Sequence, residues 1–363
     1  MTSTSYNQRS ISSIVARATK KDQERRPSIP SSSSSSSNKN DLDLDLDLKK
    51  GSLLLLRWSL YTTQKWDVPW SGKQTAITMF AWIASFVAVG ASLAPLAAAA
   101  LGAPNLGALS AQDKSLFLLV NQIVETAVGL SIVNATVSKY PKSEVPRDLL
   151  RVDFRRPFSF DQRAAVDSET TARDSKALDL DLDLDDDDGG RAGGGWLSWA
   201  LVGIVASPVV IGAAATAAAA LSDLSGGATS GGRGTADAVA GLLDASSGRV
   251  DVPTLVSLLI VTAVFAPILE ETVFRGFLLP SLTKVMPVPA AIVVSAAGFA
   301  TAHLSARDFP QLFAFGILLG FVYVRSRNLL STMFIHGAWN GGVLLLLAVL
   351  ASSGVDLEKL LAS

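Results

Sequence analysis

The sequence contains no cysteine, only two histidines and little charge for its 363 residues. Without cysteine, the chain has no disulfides, thiolate nucleophiles or cysteine metal ligands, so any catalytic chemistry must use oxygen and nitrogen groups. Charged residues make up 17% of the chain, below the share of about 25% that is usual for soluble domains. The net charge of −1 gives no argument for a nucleic-acid partner.

Apolar residues instead fall in long blocks, which are typical of membrane helices. Trp66, Trp70 and Lys73 precede the first block and are expected to anchor it at the membrane interface. The pattern predicts an all-α fold, a polytopic membrane bundle of seven to eight spans. Seven blocks are visible: Thr75–Leu101, Leu116–Val137, Trp196–Leu221, Thr254–Leu282, Val288–Leu304, Phe309–Val324 and Leu329–Leu350.

The remaining segments have low complexity or an uneven charge distribution. Residues 1–65 begin basic and serine-rich and contain a Leu-Asp repeat, which predicts a disordered, transit-like region and a chloroplast membrane location. A plain disordered tail is the alternative. Residues 66–139 are expected to hold the N-terminal membrane helices, and 140–195 a charged low-complexity loop with a second Leu-Asp repeat. Residues 196–363 are expected to form the remaining membrane helices.

Ionisable and amide side chains are concentrated in the later apolar blocks, where such groups are costly and usually functional. Glu271 and Arg275 are four residues apart and can pair on one helix face, which leaves Glu270 free. A carboxylate beside an imidazole can deprotonate a water molecule, and a second imidazole with an amide can stabilise an oxyanion. The candidate catalytic residues are Glu270, His303, His336 and Asn340, with Glu271, Arg275 and Phe299 in support.

A metal site is an open alternative. Glu270, His303 and His336 could hold a divalent ion such as zinc, since three protein ligands and a water molecule are usual in catalytic zinc sites. The sequence has no His-Glu-x-x-His run of the common zinc proteases. Residue types alone leave both a metal-dependent and a metal-free mechanism open.

Three ordered motifs resemble those of the CAAX-protease and bacteriocin-processing (CPBP, or ABI) family of intramembrane proteases, including its plant and algal plastid members. The motifs are Glu270-Glu271-Thr-Val-Phe-Arg275, Phe299-Ala-Thr-Ala-His303 and His336-Gly-Ala-Trp-Asn340, within a core of about 254–350. The resemblance implies that Glu270 and His303 activate water, while His336 and Asn340 stabilise the oxyanion. It also implies that Glu271 and Arg275 are structural or orient the substrate.

The leading hypothesis is therefore an intramembrane endopeptidase that acts on a membrane-associated protein or peptide. A proteolytically silent membrane scaffold that binds partner proteins is the alternative, because fold alone does not give function. A solute carrier is disfavoured, since no paired half-repeats with broken helices are visible. The expected partners are the lipid bilayer and the substrate, without nucleic acid. The substrate's identity and the oligomeric state stay open.

Overall fold

The computed structural model describes residues 65–155, 157–158, 195–224, 240–243, 250–355 and 357. In this part of the chain the regular structure is helical and contains no strand, which confirms the all-α prediction. A short 3₁₀ turn, Leu106–Ala108, joins the first two helices. The main helices are α1 (Gly72–Ala100), α2 (Ala111–Val137), α3 (Trp196–Leu224), α4 (Val252–Thr283), α5 (Val288–Ala302), α6 (Phe309–Ser326) and α7 (Leu329–Ser352).

Six of these helices are long and apolar enough to cross a membrane, so the polytopic bundle is confirmed. The seventh apolar block, predicted as Val288–Leu304, forms the shorter helix α5 of 15 residues. At 1.5 Å per residue α5 is about 22 Å long, less than the roughly 30 Å hydrocarbon core of a bilayer. It ends at Ala302, so His303 is its C-terminal cap, and Leu304 takes a positive φ of 52°.

Two prolines explain an irregularity in α4. The helix changes to π-helical hydrogen bonding at Val261–Phe265 and again at Thr272–Leu278. Pro267 and Pro280 each occupy the second position of the α-helical segment that follows. Proline lacks an N–H, and its ring clashes with the carbonyl four residues earlier, so the regular α-helical ladder cannot pass through it. π-helical segments are frequent at functional sites, and both motif glutamates lie between these two.

Helix α4 occupies the middle of the bundle and packs against α1, α2, α5, α6 and α7. Helix α3 packs on α6 and α7, on the other side of the bundle from α1 and α2. Large apolar side chains are buried in the second half of α4, from Leu269 to Leu279, but many are exposed on the other helices, as expected where lipid replaces water. Examples of exposed side chains are Phe80, Ile83, Phe86, Val205, Val209, Leu346 and Val349.

Trp66 and Trp70 were expected to anchor the first helix at the membrane interface, but the protein itself buries both side chains, so they do not contact lipid. Trp66 is 2% exposed and stacks on Tyr323 with ring centroids 5.3 Å apart. Trp70 is 0% exposed and donates its indole N–H to the Ser281 hydroxyl at 2.8 Å. Lys284 donates to the carbonyls of Val68 and Trp70. The sequence signal was misleading because a tryptophan can satisfy its N–H against a helix end as well as at a lipid headgroup.

The start of the predicted charged loop is also docked on the bundle. Leu149 is buried, and its carbonyl accepts a 2.6 Å hydrogen bond from the Tyr323 hydroxyl. Asp153 accepts hydrogen bonds from the Arg155 backbone N–H and the Arg151 guanidinium, which hold the pKa of its carboxyl below the ordinary value. The predictions of a disordered transit-like N-terminus and of two Leu-Asp spacers lie outside the described residues.

Candidate active site

A buried ion pair on α4 organises the site. Arg275 Nη1 donates to Glu271 Oε1 at 2.8 Å, and the side chains are 1% and 0% exposed. His336 Nδ1 lies 2.9 Å from the same oxygen, so an ionised Glu271 accepts a hydrogen bond from the ring N–H at this position. Glu271 therefore holds both the arginine of its own helix and the histidine of α7. A buried pair requires such additional hydrogen bonds, because two charges in a low-dielectric interior are costly to desolvate.

Helices α5 and α6 complete the environment of the arginine. Arg275 Nη2 donates to the Gly316 carbonyl at 3.2 Å, and Cζ lies 4.4 Å from the centroid of the Phe299 ring. A Cβ on Gly316 would lie 3.0 Å from Ala296, so glycine permits the close approach of α5 and α6. Phe299 is fully buried, and its ring also meets the His336 ring edge-on at a centroid distance of 5.7 Å. Phe299 therefore acts as a wall shared by the arginine and the histidine.

His303 reaches the site from the end of α5. Its Nδ1 lies 2.9 Å from the Phe299 carbonyl, a group that can only accept, so Nδ1 carries the proton. Its Nε2 is then directed to Glu270 Oε2, at a distance of 3.9 Å. The side chain is 20% exposed, which leaves the ring accessible from outside the core. The early end of α5 is what places His303 at this open position.

Glu270 lies between the two histidines. Its Oε2 is 3.9 Å from His303 Nε2 and 3.8 Å from His336 Nε2, and it has no hydrogen-bond partner in the described part of the chain. Both contacts are too long for direct hydrogen bonds, which are rarely longer than about 3.2 Å. Both rings are fixed at Nδ1 and present Nε2 to one carboxylate oxygen. The arrangement leaves all three groups able to contact a common small polar molecule.

Asn340 lies one turn beyond His336 on α7, where it contacts the first π-helical segment. Its Nδ2 donates to the Thr262 carbonyl at 3.0 Å. Gly337 packs on the neighbouring carbonyl of Ala263, the group four residues before Pro267, and a Cβ there would lie 2.3 Å from the oxygen. One hydrogen of the Asn340 amide therefore binds the Thr262 carbonyl, which lies in the π-helical segment. The other amide hydrogen is not engaged by this bond.

The donor types at Glu270, His303 and His336 suit a divalent metal, and the Nδ1 partners of both histidines resemble those of metal ligands. The geometry does not suit one. Among the described residues, no group of three or more His, Asp or Glu side chains is placed to hold a metal ion. The separations of 3.8 and 3.9 Å exceed the roughly 3.3 Å expected between two ligands at 2.0–2.1 Å from a tetrahedral zinc.

Helix α6 also contributes to the site, which was not predicted from the sequence. The Phe315 ring meets the His336 ring edge-on at 5.4 Å and is tilted against Trp339 at 6.2 Å. Phe315 thus closes the side of His336 opposite to Phe299. No motif marked it, since a phenylalanine in an apolar helix carries no signal of its own. The polar Gln311, one turn earlier on the same face, was the available signal.

The three motifs thus converge around one buried carboxylate pair. The family model described as type II CAAX prenyl endopeptidase, Rce1-like, matches residues 252–342. This match extends from the start of α4 into α7 and contains all three motifs. This part of the chain is therefore similar to a CAAX-type protease. Neither the curated proteins nor the solved structures include a match to the chain.

Proposed function

We propose that this protein is an intramembrane endopeptidase in which Glu270 activates a water molecule to hydrolyse a peptide bond of a membrane-associated substrate. One observation carries the proposal. Glu270 Oε2 is unpartnered and faces the Nε2 atoms of His303 and His336 at 3.9 and 3.8 Å. A buried carboxylate without a hydrogen-bond partner is costly unless a ligand or water supplies one. The family match supports the same reaction class.

The proposed first step is attack by water. The water molecule donates one hydrogen bond to Glu270 Oε2 and a second to His303 Nε2, whose Nδ1–H is held by the Phe299 carbonyl. Glu270 takes the proton as the water oxygen bonds to the carbonyl carbon of the scissile peptide. The carbon–oxygen π electrons move to the carbonyl oxygen and form a tetrahedral oxyanion. The proton on Glu270 then passes to the leaving nitrogen as the carbon–nitrogen bond breaks.

His336 and Asn340 are the proposed oxyanion donors. An imidazolium at His336 donates Nδ1–H to Glu271 and leaves Nε2–H for the oxyanion. With this proton, the positive charges of Arg275 and His336 balance the negative charges of Glu270 and Glu271. The second amide hydrogen of Asn340, which its bond to Thr262 does not use, is the other donor. The pair Glu271–Arg275 holds His336 in place and does not touch the substrate.

The test is cleavage by the purified full chain in liposomes. The substrates are a quenched fluorescent peptide that ends in a farnesylated CAAX sequence and the same peptide without the lipid. Wild type is expected to cleave at least one of them. Glu270→Gln keeps the size of the side chain but cannot accept the proton, so cleavage should fall by about 10²-fold or more. The matched control is Glu144→Gln, at an exposed loop position, which should cleave as wild type does.

The two substrates also separate the possible classes of target. If only the farnesylated peptide is cleaved, the substrate is a prenylated protein or peptide. If both peptides are cleaved equally, the substrate is a membrane-associated peptide that needs no lipid. If neither peptide is cleaved in a Glu270-dependent manner, the proposal fails for this substrate class. The scaffold alternative then becomes the better account.

A further inference from the structure

Gln311 is an unexplained polar residue in the first turn of α6. The Gln311 amide oxygen Oε1 is buried, and no described group donates a hydrogen bond to it. The rest of this helix is apolar apart from its far end, where Tyr323 and Arg325 lie. A buried amide oxygen without a donor loses its interaction with water and gains nothing in return. Such an atom indicates either a tolerated cost or a partner that arrives with a ligand.

The position of Gln311 favours the second explanation. Gln311 precedes Phe315 by four residues and so lies on the same face of α6. That face meets the rings of His336 and Trp339 through Phe315. Helix α6 begins six residues after His303, so Gln311 is also close in the chain to the second catalytic histidine. Gln311 therefore lies about one helical turn from Phe315, the side chain that contacts His336.

We propose that Gln311 binds the substrate backbone next to the scissile bond, with its side-chain oxygen accepting a hydrogen bond from a substrate peptide N–H. This inference rests on the proposed function. A protease must hold an extended peptide, and an extended backbone offers one N–H every second residue on a given side. Lipid chains and prenyl groups have no N–H donor. A peptide backbone is therefore the occupant whose chemistry fits the unpartnered oxygen.

Loss of the Gln311 side-chain amide should change KM rather than kcat. Gln311 does not touch the water or the carbonyl oxygen, so its hydrogen bond should form equally in the bound substrate and in the transition state. Loss of such an interaction raises KM and leaves kcat nearly unchanged. Gln311→Met keeps the length of the side chain and removes the amide. We expect an increase in KM of about 2- to 12-fold, equivalent to one net hydrogen bond.

The decisive experiment combines this variant with altered substrates in liposomes containing the full chain. A series of peptides carries one ester in place of one amide, moved in turn through the residues on both sides of the scissile bond. In wild type, one ester position should lower kcat/KM about 10-fold beyond its neighbours. In Gln311→Met, that same ester should cost less than about 2-fold, because its partner is already absent. The matched control, Gln112→Met at an exposed position of α2, should show the wild-type profile.

Three results overturn the inference while leaving the proposed function intact. They are an unchanged KM in Gln311→Met, a loss confined to kcat, and an ester penalty of equal size in both proteins. A merely structural role for Gln311 predicts the last of these, since it would not couple to one substrate atom. Absence of Glu270-dependent cleavage by wild type would instead reject the proposed function, and this inference with it.

Discussion

Two adjacent glutamates should respond in opposite ways to the same conservative substitution. Glu270→Gln and Glu271→Gln each replace a carboxylate by an amide of nearly equal size. Glu270 is 22% exposed and its Oε2 has no partner, whereas Glu271 is 0% exposed and binds Arg275 and His336. The first substitution should therefore abolish cleavage without affecting folding. The second should destabilise the protein.

The size of the destabilisation follows from what remains around the arginine. Without Glu271, the guanidinium of Arg275 keeps the Gly316 carbonyl at 3.2 Å and the Phe299 ring at 4.4 Å. Neither neutralises its charge. Removal of one partner from a buried ion pair typically costs about 3–5 kcal/mol. Glu270→Gln removes no hydrogen bond from the folded protein and should change stability by less than about 1 kcal/mol.

The measurement is unfolding of each variant in detergent, followed by intrinsic fluorescence at a fixed detergent concentration, together with the liposome cleavage assay. A third protein, Glu271→Leu/Arg275→Met, removes both charges. It should recover part of the stability lost in Glu271→Gln, because the buried charge of Arg275 is removed together with that of its partner. Equal stability of Glu270→Gln and Glu271→Gln would refute the division of roles. The division of roles would also be refuted if the double variant lost more stability than the sum of the losses in Glu271→Leu and Arg275→Met.

Three further predictions concern the surroundings of this pair. Gly337→Ala should destabilise the protein by about 1–3 kcal/mol, the typical cost of overpacking a core, because its Cβ would lie 2.3 Å from the Ala263 carbonyl oxygen. The control is Gly342→Ala, whose Cβ would have no atom within 4 Å and which should unfold as wild type does. Asn340→Ala should lower kcat by about 10²-fold through loss of an oxyanion donor, and a cleavage rate equal to that of wild type would exclude this role. Cleavage should survive dialysis against a strong chelator, and loss of activity that returns with added zinc would show that the metal-free mechanism is wrong.

Much of the fold and of the candidate site could be predicted from the sequence because the determinants are local. The apolar blocks gave the helix ends to within three residues, apart from the start of α2, which lies five residues earlier than predicted. The spacing of Glu271 and Arg275 on one helix predicted a pair that the structure contains at 2.8 Å. The order of the three motifs predicted that Glu270, His303 and His336 share one hydrolytic site. Each of these inferences needs only residue types and their separation along the chain.

Other features depend on contacts between distant segments and were not predicted. The burial of Trp66 arises from a segment that folds back onto Tyr323, and nothing in the local pattern distinguishes this from an interfacial tryptophan. The bond from Asn340 to Thr262 exists because Pro267 disrupts the α-helical ladder of α4.

The sequence by itself determined that this protein is a helical membrane bundle with two carboxylates, two imidazoles and an arginine in its later helices. Only the tertiary structure decided which other groups surround each carboxylate, since the pairing of Glu271 with Arg275 already followed from their spacing. Adjacent residues on a helix point about 100° apart, so their directions are fixed locally. The groups that each side chain contacts are not fixed locally, because they come from other helices. His336 and Arg275 both reach Glu271, while Glu270 meets two imidazole nitrogens at water-bridging distance, because α5 ends early and α7 crosses α4 at its first π-helical segment.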